Sequence, residues 1–261
     1  MSVEGRITTE VSGRLLLIGI DRMEKKNSFT PRMYLDLGDA YARLDQDPEL
    51  WCGVLFAHGN DFTAGLDLPQ FASVMAEGKM PVVEGSCDPC GMYGPYPRKP
   101  VVTAMHGLCL TIGIELMLAA DIRVAAKGTR FAQIEIKRGI YPFGGATVRY
   151  VQEAGWGNAM RYLLTADEFS AEEAYRIGLV QEVVEDGRQL ERAIEIATTI
   201  AEQAPLAVQA TLKHCRKALY DGEKAAAAAL MDDLGAVAAS EDAMEGIQSF
   251  LERRKADFKG R

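Results

Sequence analysis

Short, largely apolar runs, each too brief for a core helix and each followed by polar or turn-forming residues, constrain this chain more than any other feature. The first is Leu15-Leu16-Leu17-Ile18-Gly19-Ile20, closed by the polar segment from Asp21 to Asn27. Val54-Leu55-Phe56-Ala57, Val101-Val102-Thr103-Ala104-Met105 and Ile122-Arg123-Val124-Ala125 follow. Runs of this length read as buried strands. Between them lie helical patterns. Thr30-Pro31 supplies an N-cap and a proline at the first helical position of an amphipathic stretch reaching about Asp45, and a second helix is expected from about Ile112 to Ala120. The alternation predicts an α/β fold.

The segment from Asp67 to Pro100 is rich in glycine and proline and is expected to be mostly loop. From Ser170 onward the pattern turns helical. Ser170 and Glu173 have capping-box spacing, and helices are predicted over Leu190–Gln203, Leu206–Tyr220, Glu223–Ala239 and Asp242 to about Lys255. The run Ala225 to Ala229 reads as a closely packed helix face rather than a linker. With 261 residues, 48% of them hydrophobic, the chain can bury one substantial core and carry a smaller helical appendage, divided here at 1–200 and 201–261.

Composition narrows the function classes. A net charge of -8 opposes bulk attraction to nucleic acid or to an anionic membrane. Residues 1–10 lack the apolar stretch of a signal peptide, and no later run approaches the roughly 18 apolar residues of a membrane span. The five cysteines are an odd set with irregular spacing, which suits a reducing compartment, so a soluble cytoplasmic protein is expected.

Two segments carry chemistry. Asp61-Phe62-Thr63-Ala64-Gly65-Leu66-Asp67-Leu68 lies just beyond a buried strand, and its small residues permit a turn with outward-facing N–H groups. Such groups can hold a carbonyl oxygen as it gains negative charge; the alternative is a plain turn in which Asp67 caps a helix. In His106-Gly107-Leu108-Cys109-Leu110-Thr111-Ile112-Gly113-Ile114-Glu115-Leu116-Met117-Leu118, Glu115 interrupts an otherwise apolar helix. A carboxylate buried there must shift its pKa or find a partner, which makes it a candidate general acid or base. The alternative is an exposed helix face. Free N–H groups at that helix's first turn would add a second oxyanion donor.

The A-G-x-D-L element at Ala64 to Leu68 and the H-G-x-x-x-x-x-G-x-E-L element at His106 to Leu116, in this order, resemble the paired signatures of the enoyl-CoA hydratase/isomerase (crotonase) superfamily. The resemblance extends from the 21–28 loop, similar to the family's coenzyme-binding R-P-x-x-x-N-A loop, to the C-terminal helix at 240–259. Phe131 to Ile136 and Gly139 to Gly145 resemble its F-G-x-P-E and G-x-x-P-x-x-G-G elements, which puts Glu135 at the family's second catalytic glutamate. The resemblance implies a spiral of ββα units with a C-terminal helical region that builds a homotrimer or homohexamer. It implies an acyl-CoA thioester and water as reactants, and neither a metal nor a separate cofactor, coenzyme A being part of the substrate.

Carried over residue by residue, the backbone N–H groups of Leu66 and Ile112 hold the thioester oxygen. Glu115 deprotonates a water that attacks C3, and Glu135 gives a proton to C2. Lys25, Lys26, Ser28, Ala64, Asp67, Leu68 and Phe258 fall at substrate- or coenzyme-binding positions, Phe258 toward a neighbouring subunit. Retention of both acids favours hydration over isomerisation, which needs one base. Another crotonase-type acyl-CoA reaction, or a non-enzymatic acyl-CoA-binding module, remains the alternative.

Some positions depart from the family pattern. Thr111-Ile112-Gly113 stands where hydratases usually have three glycines, so Ile112 is expected to alter or narrow the substrate range. Met23 and Ser28 replace a proline and an alanine of the coenzyme loop, and Ile134 replaces the proline before the second glutamate. The C-x-x-C pair Cys87/Cys90 has no second pair and reads as loop, or as part of a lid with Tyr93 and Tyr96. His58, His106 and His214 are scattered and lack a G-x-S-x-G motif, and the basic C-terminal cluster reads as a solvated helix end.

Overall fold

The structure, a computed structural model, describes residues 4–261; the first three residues of the N-terminal segment discussed above lie outside it. Strand β1 (Arg6–Ser12) pairs antiparallel with β2 (Leu15–Asp21), and the two-residue connection turns at Gly13, whose φ is 58°. β1 has no counterpart in the sequence reading, because an exposed edge strand needs no apolar run. The expected helix follows as α1 (Pro31–Gln46), with the Thr30 hydroxyl accepting from the Met33 N–H at 3.1 Å. Next come β3 (Cys52–Ala57), α2 (Leu68–Glu77), β4 (Val101–Met105), β5 (Leu108–Leu110), α3 (Ile112–Ala119), β6 (Ile122–Ala126), β7 (Arg130–Ala132) and α4 (Ala146–Leu163). The chain then forms β8 (Phe169–Ser170), α5 (Ala171–Arg176), β9 (Glu182–Val184) and α6 (Gln189–Ala201), and ends in α7 (Pro205–Asp221), α8 (Glu223–Ala229), α9 (Leu234–Ala238) and α10 (Glu241–Glu252).

The strands form a six-stranded sheet ordered β1-β2-β3-β4-β6-β9 and a three-stranded sheet ordered β5-β7-β8. Each turn of chain visits the large sheet, then the line of the small one, then a helix. β4, β5 and α3 make one such turn; β6, β7 and α4 make the next. Earlier turns touch the second layer only by single bridges, Phe29 to Leu66 and Thr63 to Cys109. This is the ββα spiral the resemblance implies, and the bridges bring the 63–66 segment against β5 and so against the start of α3.

Period-two alternation divides the core. Leu16, Ile18 and Ile20 face the main cluster with α1 and α3, while Leu15, Val54, Val102 and Val124 turn to the other face, where α6 covers them with Ala193 and Ala197. Small residues let α6 lie close to the sheet. Ala197→Leu would overpack this contact and is expected to cost about 1–3 kcal/mol, read by urea unfolding.

Several elements differ from expectation. The 67–100 stretch is not mostly loop at its start, because α2 occupies residues 68–77 and stops at Gly78, which takes φ 62° as its C-cap. α4 escaped the sequence reading because Gly155, at φ 74°, breaks its helical period in the middle. The helix expected over Glu223–Ala239 is two, α8 and α9, and of Ala225 to Ala229 only Ala226 is buried in the single chain. Ser170 caps α5 by accepting from the Glu173 N–H, but the Glu173 carboxylate is bound to Arg176 and Tyr162, so half of the capping box forms.

Candidate active site

Glu115 sits in α3, 3% exposed, surrounded by Ile112, Ile114, Leu116 and Met117 of the main core. The exposed-face alternative is thereby excluded. Its Oε1 accepts from the Gly144 N–H at 2.7 Å and the Ala146 N–H at 3.3 Å, the second of these opening α4. Burial raises its pKa to about 7, against the pull of these two donors and of the Arg149 guanidinium. Glu135 heads a short 3-10 turn, residues 135–138, and is 7% exposed. Its Oε2 is buried with no hydrogen-bond partner among the described residues. Burial, reinforced by the Glu115 charge, pushes Glu135 to about 8. Ile134 in place of proline leaves Glu135 pointing inward all the same.

Two residues lining the same cavity as the acids carry unused backbone donors. Gly65, at φ 109°, donates to the Thr63 hydroxyl and accepts from Phe29, and the Asp67 N–H goes to the Phe29 carbonyl. The Leu66 N–H between them meets no protein acceptor among the described residues, nor does the Ile112 N–H at the start of α3. Ala64, Leu66, Leu68, Thr111, Ile112, Glu115, Ile134, Glu135 and Phe143 line one cavity of about 180 Å³. A larger cleft of about 680 Å³ between α7 and Tyr96 brings together no comparable pair of buried acids. The smaller cavity is the one with convergent chemistry.

The remaining expected positions lie outside that cavity. Lys25 and Lys26 are exposed in the loop before α1, and the Lys26 carbonyl accepts from the Ala64 N–H, which ties that loop to the 63–66 turn. Ser28 accepts from Arg22, and the Asp67 carboxylate is held by Arg22 at 2.8 Å and by Gln70, so it braces the turn rather than capping α2 with its side chain. Phe258 is half-buried beside Gly246 in the C-terminal region. Ile112 lines the cavity yet is 1% exposed, most of its side chain being spent on the core.

Asp88 and Arg149, which sequence reasoning missed, fasten the site from behind together with Tyr93 of the expected lid. The buried Asp88 carboxylate accepts from the Tyr34 hydroxyl and from the backbone of Cys90, Met92 and Tyr93. Tyr93 in turn donates to the Phe143 carbonyl at 2.5 Å, next to the Gly144 that holds Glu115. Arg149 donates to the carbonyls of Cys90 and Gly91. Their only sequence signal was charge in the midst of small and aromatic residues. Cys87 and Cys90 are free and buried, and burial raises Cys87 to about 11 and Cys90 well above its usual value, so the pair is packing within this brace.

A methyl group on Gly144 would come 2.5 Å from Glu115 Oε2 and 2.8 Å from its Cδ. Gly144→Ala is therefore expected to displace the carboxylate and lower kcat about 100-fold, measured by steady-state kinetics on a folded variant.

A spiral α/β scaffold in which one cavity is lined by two buried acids and by two residues with free backbone N–H groups has the groups an enzyme needs to meet negative charge on a carbonyl oxygen and to move protons nearby. Comparison with known proteins supplies the rest. The family model described as enoyl-CoA hydratase/isomerase matches residues 10–261, and the chain belongs to that family. It is 34% identical to an enoyl-CoA hydratase of Mycobacterium tuberculosis over 97% of this chain and 96% of that protein. It is 30% identical to the 2,3-dehydroadipyl-CoA hydratase of Escherichia coli, over 95% and 96%. A crystal structure of a "probable enoyl-CoA hydratase/isomerase" from Mycobacterium abscessus superposes with a TM-score of 0.94 at 47% identity, covering 98% of each chain.

Proposed function

We propose that this enzyme adds water reversibly across the 2,3-double bond of an enoyl-CoA thioester. The observation that carries the reading is the unequal pair of acids. Gly144, Ala146 and Arg149 favour the ionised form of Glu115, and the charge of Glu115 in turn favours the protonated form of Glu135. One acid is thus prepared as base and the other as acid. Ionised Glu115 takes a proton from water as its oxygen attacks C3, and the π electrons move onto the thioester oxygen. The Leu66 and Ile112 N–H groups hold that oxyanion, each contributing about 3 kcal/mol. Glu135 then protonates C2 as the enolate collapses. Glu115 is left protonated and Glu135 ionised, and return of one proton between them resets the site.

The reaction uses no metal ion or redox cofactor, since coenzyme A arrives with the substrate. Lys25 and Lys26 lie where coenzyme phosphates can be met, and Ser28, Ala64, Asp67 and Leu68 shape the two loops that border the thioester. The acyl chain would continue past Ile140 and Phe143, which also border a neighbouring pocket of about 280 Å³ with Val74 and Met75. Residues 201–261 serve as a trimerisation region. Tyr220, Met231, Leu234, Ile247 and Phe250 are exposed apolar residues there, which supports a homotrimer or a hexamer of two trimers, with Phe258 reaching a neighbour's coenzyme. No helix among the described residues is long and apolar enough to cross a membrane. Free thiols at every cysteine fit the reducing cytoplasm.

Incubation with crotonyl-CoA in heavy water, followed by mass spectrometry, tests the reaction type. Hydration adds one water and places deuterium at C2. Isomerisation leaves the elemental formula of the acyl group unchanged apart from exchanged hydrogens, and that outcome would replace the hydratase reading.

A further inference from the structure

Thr111 holds a backbone conformation that threonine rarely adopts. Its φ of 49° and ψ of -111° lie in a region suited to glycine, and a β-branched side chain makes the position more strained. The surroundings enforce it. The Thr111 N–H donates to the Ala132 carbonyl, and its own carbonyl accepts from Ile114 and Glu115. A glycine would be comfortable there, so the side chain is kept at a cost to the fold.

The side chain has an unspent group. Thr111 is half-buried and lines the cavity with Leu66, Ile112, Glu115 and Glu135, yet its hydroxyl has no hydrogen-bond partner among the described residues, unlike Thr63 nearby. Its Oγ1 stands 2.4 Å from where a Cβ on Gly65 would be, so only the glycine before Leu66 admits it. The hydroxyl therefore lies between the two oxyanion loops, directly before one donor and against the residue before the other.

We infer that the Thr111 hydroxyl is a third hydrogen-bond donor to the thioester oxygen, acting with the Leu66 and Ile112 N–H groups on the enolate. This rests on the hydratase reading of the same cavity. A hydroxyl can turn its proton toward the oxygen as charge builds, while its fixed Oγ1 position avoids reorganisation. The strained threonine is thus retained for transition-state binding.

The test compares Thr111→Val, Thr111→Ser and Thr111→Gly as full-length protein on crotonyl-CoA. Valine keeps the shape and strain but not the donor, and is expected to lower kcat about 100-fold with KM changed less than about threefold. Serine restores most of the rate. Glycine loses rate like valine while its melting midpoint rises by about 2–4 °C, because strain is relieved. A spectroscopic readout separates this from a packing defect. Polarisation of a bound conjugated enoyl thioester moves its absorbance to longer wavelength, and in a Glu115→Gln background the added Thr111→Val change is expected to shrink that shift. A valine variant with kcat within about twofold of wild type, or one altered in KM alone, overturns the inference. Absence of hydration by the wild-type enzyme would instead remove the hydratase reading itself.

Discussion

Glu115→Gln is expected to lower kcat for crotonyl-CoA hydration by about a thousandfold while leaving the dissociation constant for the thioester within about threefold. The amide preserves volume, and its oxygen can still accept from the Gly144 N–H at the position where the carboxylate does so now. What it cannot do is take a proton from water. The acid limb of the pH profile should disappear with it, because the wild-type limb reports ionisation of a carboxyl held near 7 by burial. Equilibrium binding by calorimetry and initial rates across pH 5–10 check both statements. A loss confined to KM would assign Glu115 to binding.

Glu135→Gln carries the second large effect, a fall in kcat of about 100- to 1000-fold, since the proposed mechanism has this residue deliver a proton to C2. In wild type, kcat/KM is expected to be bell-shaped with limits at about 7 and about 8, active where Glu115 is ionised and Glu135 still protonated. The same pKa values act on stability. Each acid has a folded pKa above its usual value, so its contribution favours the folded state fully below the unfolded value near 4.5 and is lost as pH rises through the folded value. Thermal stability should therefore decline between pH 5 and 9. Glu135→Gln should flatten that decline and melt higher than wild type at pH 9, the ordinary consequence of removing a buried ionisable group kept for activity. Parallel melts at the two pH values read this directly.

The chemistry was more legible in the sequence than its supports. Glu115 announced itself as a charge in an apolar helix, and the small residues at 64–65 marked a turn that leaves a backbone N–H free at the cavity. Strands buried on both faces showed as apolar runs, and Thr30-Pro31 marked α1. What escaped depended on contacts far apart in the chain or on broken periodicity. Gly144 and Ala146 reach Glu115 from 29 and 31 residues away. Asp88 looked like a polar loop residue until the backbone of 90–93 folded around it. Gly155 hid α4, and β1 lacked an apolar face to betray it. Thr111 and Ile112 both depart from the glycines of the family pattern, but the Ile112 side chain is mostly committed to the core. The strain at Thr111 appears only in the backbone angles.

Spectrophotometric loss of the conjugated thioester absorbance of crotonyl-CoA, with Glu115→Gln as control, tests the central claim most directly. The account predicts steady loss with wild-type enzyme, regained from the reverse direction with 3-hydroxybutyryl-CoA, and almost none with the variant. Equal rates for the two proteins, or intact absorbance with crotonyl-CoA and longer or aromatic enoyl-CoA thioesters alike, would contradict it.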